Sequence, residues 1–131
     1  MKAFFYLFLI LCLIIPMNLN AQYKKQIVDK DTVYFVAVEE MPEPIGGIGA
    51  IQSKVQYPPE AKDQGVQGKV YVIAYINEMG SVDSTRLIRG IGAGCDEAAM
   101  NAIKQIKFKP GRQKGIPTKV QVAIPIMFKL D

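Results

Sequence analysis

The sequence predicts an α+β fold: an antiparallel sheet of three strands, or four with an N-terminal strand, and one main helix packed on one face. Three observations lead there. Positions 69–76 and 118–130 alternate with the period of two that marks strands. An Asn-Glu-Met-Gly turn at 77–80 folds the first of them back on a return strand. Between that return strand and the last strand, apolar residues recur at helical spacing.

Each element has a local cause. Residues 32–38 (TVYFVAV) are β-branched and aromatic and predict a strand. Two prolines and two glycines make 39–47 a loop, and 49–55 follows as a short helix. Tyr57-Pro58-Pro59 imposes extended backbone, because a residue before proline avoids the α region. Pro59 suits the first turn of a short helix to Asp63, which Gly65 ends. In the strand 69–76, Val70, Val72, Ala74 and Ile76 share one face, while Lys69, Tyr71, Ile73 and Tyr75 share the other. Both faces are fairly apolar, which marks a central strand. In the return strand Val82 and Leu87 have opposite parity, and a bulge near Ser84 would turn both inward. Asp96 is suited to cap a helix reaching about Lys107, whose inner face is Cys95, Ala99, Ala102, Ile103 and Ile106. Pro110-Gly111 stops that region. The last strand places Val120, Val122, Ile124, Ile126, Phe128 and Leu130 on one face.

The chain has 131 residues, enough for one domain. It divides into 1–21, 22–31 as a flexible lead-in, 32–55, and a globular part from 56 to 131. Lys2 followed by the apolar run 3–15, Pro16 and Ala21 reads as a signal peptide, with a short membrane anchor as the alternative. A bilayer-spanning helix needs roughly 20 apolar residues, and this run is shorter. Cys12 lies inside the run, after Leu11, which argues against a lipid-attachment site. Cleavage after Ala21 would leave Cys95 as the one cysteine, so stability must come from packing. Periplasmic export is expected, or the periplasmic side of the inner membrane if the segment is retained.

The chain contains no His, which excludes Ser-His-Asp triads, Cys-His pairs and His-containing zinc sites within it. Neither a catalytic constellation, a metal site nor a cofactor is expected, and the reading is not an enzyme. Gly90-x-Gly92-x-Gly94 before a helix imitates a phosphate loop, but Asp96 and Glu97 at the helix start would repel phosphate. Cys95 at a helix start could be a reactive thiol. The same two acids oppose that, and a buried packing role is favoured. The formal charge of +4 could serve an anionic lipid, cell-wall polymer or acidic protein segment, whereas nucleic acid does not belong in the expected compartment. From Lys104 to Lys129 the charged residues are all basic; an ordinary solvated face is favoured there over a docking face.

Pro125 falls within the last strand. Proline lacks an N–H, so it belongs on a sheet edge with its nitrogen turned outward. By alternation, Gln121, Ala123 and Met127 would then also turn their N–H and C=O groups outward. Such an edge either accepts a strand from a partner or uses Pro125 to guard against aggregation.

Six motifs now occur in order from 56 to 130: Gln56-Tyr57-Pro58-Pro59-Glu60-Ala61, Gly68-Lys69-Val70, Gly80-Ser81-Val82, Asp96-Glu97-Ala98-Ala99, Phe108-Lys109-Pro110-Gly111, and Pro125-Ile126-Met127-Phe128-Lys129-Leu130. Together they resemble the C-terminal domain of the TonB family, with Met41-Pro42-Glu43 and Gly46-Gly47 similar to Bacteroidetes-type members. The resemblance implies a TonB C-terminal-domain-like fold. It also implies a domain that binds the TonB-box segment of an outer-membrane TonB-dependent transporter by strand addition, supporting energy-dependent uptake. An inner-membrane proton-motive-force complex would be the second partner. Carried over by position, Gln56, Tyr57 and Pro58 would contact the transporter, and Val120, Gln121, Val122, Ala123, Ile124, Pro125 and Met127 would line its box. The chain departs from the family pattern in its lack of His and in the short spacer between 22 and 56, whose 35 residues reach at most about 120 Å. The alternative is a structural envelope domain that binds cell-wall polymer such as peptidoglycan, or a membrane surface, without energy coupling.

Overall fold

The structure, a computed structural model, describes residues 25–29 and 32–131. The expected signal peptide 1–21 lies outside the described residues, as do 22–24, 30 and 31. The sheet has five strands in the order β1-β2-β9-β4-β5. Its centre is formed by β4 (Gly68–Ile76), β5 (Val82–Arg89) and β9 (Val120–Phe128), all antiparallel. The main helix α3 (Cys95–Lys104) follows β5, so the α+β class and the order of the central elements are as the sequence predicts. Two short helices precede β4: α1 (Gly47–Lys54) and α2 (Pro59–Asp63).

The N-terminal part departs from expectation. Residues expected as a flexible lead-in contain β1 (Lys25–Asp29), which pairs antiparallel with β2 (Thr32–Phe35). β2 then meets β9 in parallel, at the single register point Phe35↔Val120. β2 is thus the N-terminal strand expected over 32–38, β1 is one strand more than the expected three or four, and the sheet is mixed. Further ladders are small: β3 (Glu43–Pro44) on β6 (Phe108–Lys109), and β7 (Gly111–Gln113) on β8 (Ile116–Thr118).

The core follows the period-two pattern. Val70, Val72, Ala74 and Ile76 of β4 face Ile126, Ile124, Val122 and Val120 of β9 on one side of the sheet. Against that face α3 lays Cys95, Ala99, Ala102 and Ile103, all fully buried. Phe108 and Phe128 are the largest fully buried side chains among the described residues and close the core together with Ile51 of α1.

The expected bulge in β5 is present. Tyr75 pairs with Ser84 and Ile76 with Val82, so Asp83 is the extra residue, and Val82 and Leu87 both lie opposite core-facing residues of β4. A second shift, between Tyr71↔Arg89 and Val72↔Leu87, leaves Ile88 extra as well. Asp83 is held in place by hydrogen bonds from Tyr34 Oη at 2.6 Å and from Asn77 Nδ2 at 2.8 Å. Asn77 Oδ1 in turn accepts the Met79 and Ser81 N–H groups of the hairpin turn. Gly80 in that turn has φ 81° and is a true requirement, because a Cβ there would sit 1.9 Å from the Phe108 carbonyl oxygen. The Phe108 N–H donates to the Gly80 carbonyl at 2.9 Å, tying the turn to the segment after α3.

Candidate functional site

The last strand is not the outermost strand in sheet order, but most of its length is nevertheless an edge. β4 pairs with all of it, from Gly68↔Phe128 to Ile76↔Val120. On the other side β2 reaches it only at Val120, where the Phe35 N–H donates to the Lys119 carbonyl at 2.9 Å. From there to Met127, no strand among the described residues pairs with that side.

The direction of its backbone groups can be read from both ends. Lys119 turns its carbonyl to β2, and Met127 turns both its N–H and its C=O away from β4, toward Gln52. Backbone groups alternate along a strand. Gln121, Ala123 and Pro125 therefore share the outward direction, and Pro125 has its ring nitrogen there, where its lack of an N–H breaks no bond to β4. Val120, Val122 and Ile124 point their backbone groups at β4 and their side chains at the core, Val120 and Ile124 being buried. They shape the edge without presenting polar groups on it.

Gln52 was not singled out by the sequence. Its carboxamide treats Met127 as a neighbouring strand would: Nε2 donates to the Met127 carbonyl at 3.1 Å, and the Met127 N–H donates to Oε1 at 2.8 Å. The preceding residue, Ile51, is fully buried and fixes α1 over this end of β9. A polar residue on a short helix gives no signal of such a contact.

Beside the centre of the edge lies a hollow of about 200 Å³, lined by Val36, Met41, Ile73, Gln121, Val122 and Ala123. Val36 and Met41, also missed by sequence reasoning, are large apolar side chains left about 40 % exposed. Gln121 is buried beneath it.

Gln56, Tyr57 and Pro58 lie apart from this hollow, past the Met127 end of β9. They line a cleft of about 630 Å³ against α3, with Lys54, Glu97, Asn101 and Lys104 among its walls. Gln56 is exposed. Tyr57 is half-buried: its ring meets Phe128 edge-on at 5.3 Å, and its hydroxyl donates to the Val66 carbonyl. Tyr57 therefore has a packing role whatever else it touches.

Two lures of the sequence resolve physically. Asp96 is not the N-cap of α3; that position is Gly94, at φ 82°. The Asp96 carboxylate instead accepts the Ile91 N–H at 2.8 Å and, more weakly, the Gly92 N–H. The glycine-rich loop is thus closed on the chain's own anion, with no room for a side chain at Gly90. Cys95 is buried, and burial pushes its thiol pKa up, with the Asp96 and Glu97 carboxylates acting in the same direction. That environment opposes a reactive thiolate.

Among the described residues no helix is long and apolar enough to cross a membrane. Comparison with known proteins places these features in a family. The model of the Gram-negative bacterial TonB protein C-terminal matches residues 53–130. Protein TonB of Vibrio cholerae is 33% identical over 81 residues, covering 61% of this chain and 33% of that protein, so the chain spans about a third of the length of this relative. The solution structure of the Helicobacter pylori TonB C-terminal domain shares the fold, with a TM-score of 0.51 and 30% identity over 64% of this chain and 77% of that one. The match spans both the Gln56-Tyr57-Pro58 cleft and the whole of β9, and the chain belongs to the TonB C-terminal family.

Proposed function

We propose that this domain captures an extended segment of an outer-membrane TonB-dependent transporter as an added strand on the free side of β9. The single observation that carries the reading is the outward backbone of β9 between Val120 and Met127, flanked by an apolar hollow. Strand addition supplies main-chain hydrogen bonds, and a hollow beside the edge selects a side chain. A strand of Val, Ile or Leu character would seat one side chain against Val36, Met41 and Ala123.

The sheet has a rival edge in β5, but its two bulges interrupt the regular ladder that an added strand needs. Ala123, by contrast, lies in an unbroken register with β4. The Gln56, Tyr57 and Pro58 cleft would meet the transporter beyond the added strand. In this reading no bond chemistry is involved and no cofactor is needed. Transfer of force from an inner-membrane proton-motive-force complex belongs to the same proposal and depends on the segment before residue 25.

The test is titration of the isotope-labelled domain with synthetic peptides from the periplasmic N-terminal segments of the same organism's transporters. Amide exchange at Ala123 should slow on binding while β5 amides stay unchanged. Binding that leaves β9 untouched, or retention on peptidoglycan with no response to any peptide, would overturn the proposal in favour of a cell-wall-binding role.

A further inference from the structure

We infer that Gln52 is a register stop: it ends the open edge of β9 at Met127, so that the edge admits a short strand in one register. This rests on the proposed strand addition and adds to it a residue that decides which length and alignment of segment fits.

Four observations carry the inference. At one end, the Phe35 N–H occupies the Lys119 carbonyl, and Gln121 beside it is itself engaged. At the other end, both outward groups of Met127 are taken by the Gln52 carboxamide, at 2.8 and 3.1 Å. Between the two stops, Ala123 presents an outward N–H and C=O, whereas Pro125 presents only a carbonyl. Finally, Gln52 is not a loosely placed surface side chain, because the neighbouring Ile51 is fully buried and anchors α1.

The consequence is a footprint of about five residues, since a strand rises about 3.3 Å per residue and the window runs from 122 to 126. Within it the register is set. One residue of the incoming strand must exchange bonds with Ala123. The next outward residue then donates its N–H to the Pro125 carbonyl and leaves its own carbonyl facing the donor that Pro125 lacks. A slip of two residues toward Met127 would oppose the strand to the Gln52 carboxamide. A slip of one would swap the face of every side chain and remove the apolar residue from the hollow.

The experiment compares the wild-type domain with Gln52→Ala, using transporter-segment peptides of five and of nine residues. Amide exchange by NMR is followed at Met127 and Ala123. In the free wild-type protein the Met127 amide should be protected, and peptide should not change it. In free Gln52→Ala the Met127 amide should exchange faster, and only the nine-residue peptide should protect it again. The nine-residue peptide should bind the variant about tenfold tighter than wild type, as two added hydrogen bonds allow, while the five-residue peptide binds both alike. Gln52→Glu keeps an acceptor for the Met127 N–H but loses the donor to its carbonyl, and should gain less. A Met127 amide equally protected in free Gln52→Ala, or equal gains for both peptide lengths, overturns the stop. If no peptide slows exchange anywhere on β9 in either protein, strand addition itself fails and the stop fails with it. In that case a faster Met127 amide in free Gln52→Ala would show Gln52 to be only a tie between α1 and β9.

Discussion

Replacing Pro125 by Ala should tighten binding of a transporter segment while weakening the fold, and the two effects can be separated. The ring nitrogen of Pro125 lies on the outward side of β9, opposite Tyr71 in the ladder but turned away from it. Alanine would add one N–H in that direction without touching a bond to β4. A partner strand running along the edge has a carbonyl there with no donor, and the new N–H would satisfy it. One such bond contributes about 0.5–1.5 kcal/mol net, or roughly two- to twelvefold in affinity. The fold should lose about 0.4–1 kcal/mol, because the unfolded chain regains freedom at position 125. For a domain of this size that is a fall of a few degrees in Tm. The assay is isothermal titration with a transporter-segment peptide, paired with thermal unfolding followed by circular dichroism. Tighter binding in a less stable protein is not explained by general stiffening. Unchanged or weaker binding at lower Tm would refute the placement of the partner on this part of β9. Sedimentation velocity on the same variant separates the second reading of Pro125. If the proline mainly guards the edge, the variant should self-associate without gaining affinity for peptide.

Two further outcomes follow from the geometry. Tyr57→Phe, which removes only the hydroxyl bond to the Val66 carbonyl, should lower Tm by several degrees; Tyr57→Ala, which also removes the edge-on contact with Phe128, should lower it by clearly more. A Tyr57→Ala domain that melts with wild type and only loses peptide binding would show that its role is contact alone. Cys95 should react slowly with iodoacetamide in the folded state and rapidly in urea. Its raised folded pKa means that the folded state holds the thiol proton more tightly, so stability should fall as pH rises above the ordinary thiol value of 9.0. Alkylation at equal rates in both states, or a flat stability profile through that range, would contradict the burial.

Side-chain periodicity carries most of what the sequence reveals. The alternation of β9 and β4, and the inward face of α3 through Cys95, Ala99, Ala102 and Ile103, follow from spacing alone. Even the bulge at Asp83 is legible, because Val82 and Leu87 cannot lie on the same face of the sheet without it. What spacing does not carry is pairing between distant segments. The strand at Thr32–Phe35 is visible, but its parallel contact with Val120 depends on chain path, and β1 lies in a polar stretch whose strand character comes from pairing with β2. Asp96 shows the limit of local rules: as a good capping residue beside a helix start it is read as the cap, yet Gly94 takes that position and the carboxylate closes the preceding loop. The candidate site divides the same way. The outward parity of Ala123 and Pro125 is legible from one proline, whereas Gln52, 75 residues away from Met127 in sequence, is not.

A bracketed edge with one missing donor also bears on a problem that any strand-accepting domain faces. An open edge long enough to hold a partner can also pair with a second copy of itself. Antiparallel pairing of two copies about a two-fold axis would set each β9 against the other, so each copy would contribute its own Pro125. Both missing donors then fall within the same short ladder, and the window between Phe35 and Gln52 leaves few other bonds to compensate. A partner strand without proline meets one missing donor, and its side chain can fill the hollow of Val36 and Met41. In the proposed strand addition, the same two devices, a proline within the edge and a carboxamide at its end, would therefore weaken self-pairing more than partner binding. Pro125→Ala and Gln52→Ala combined should show this as self-association that exceeds that of either single variant.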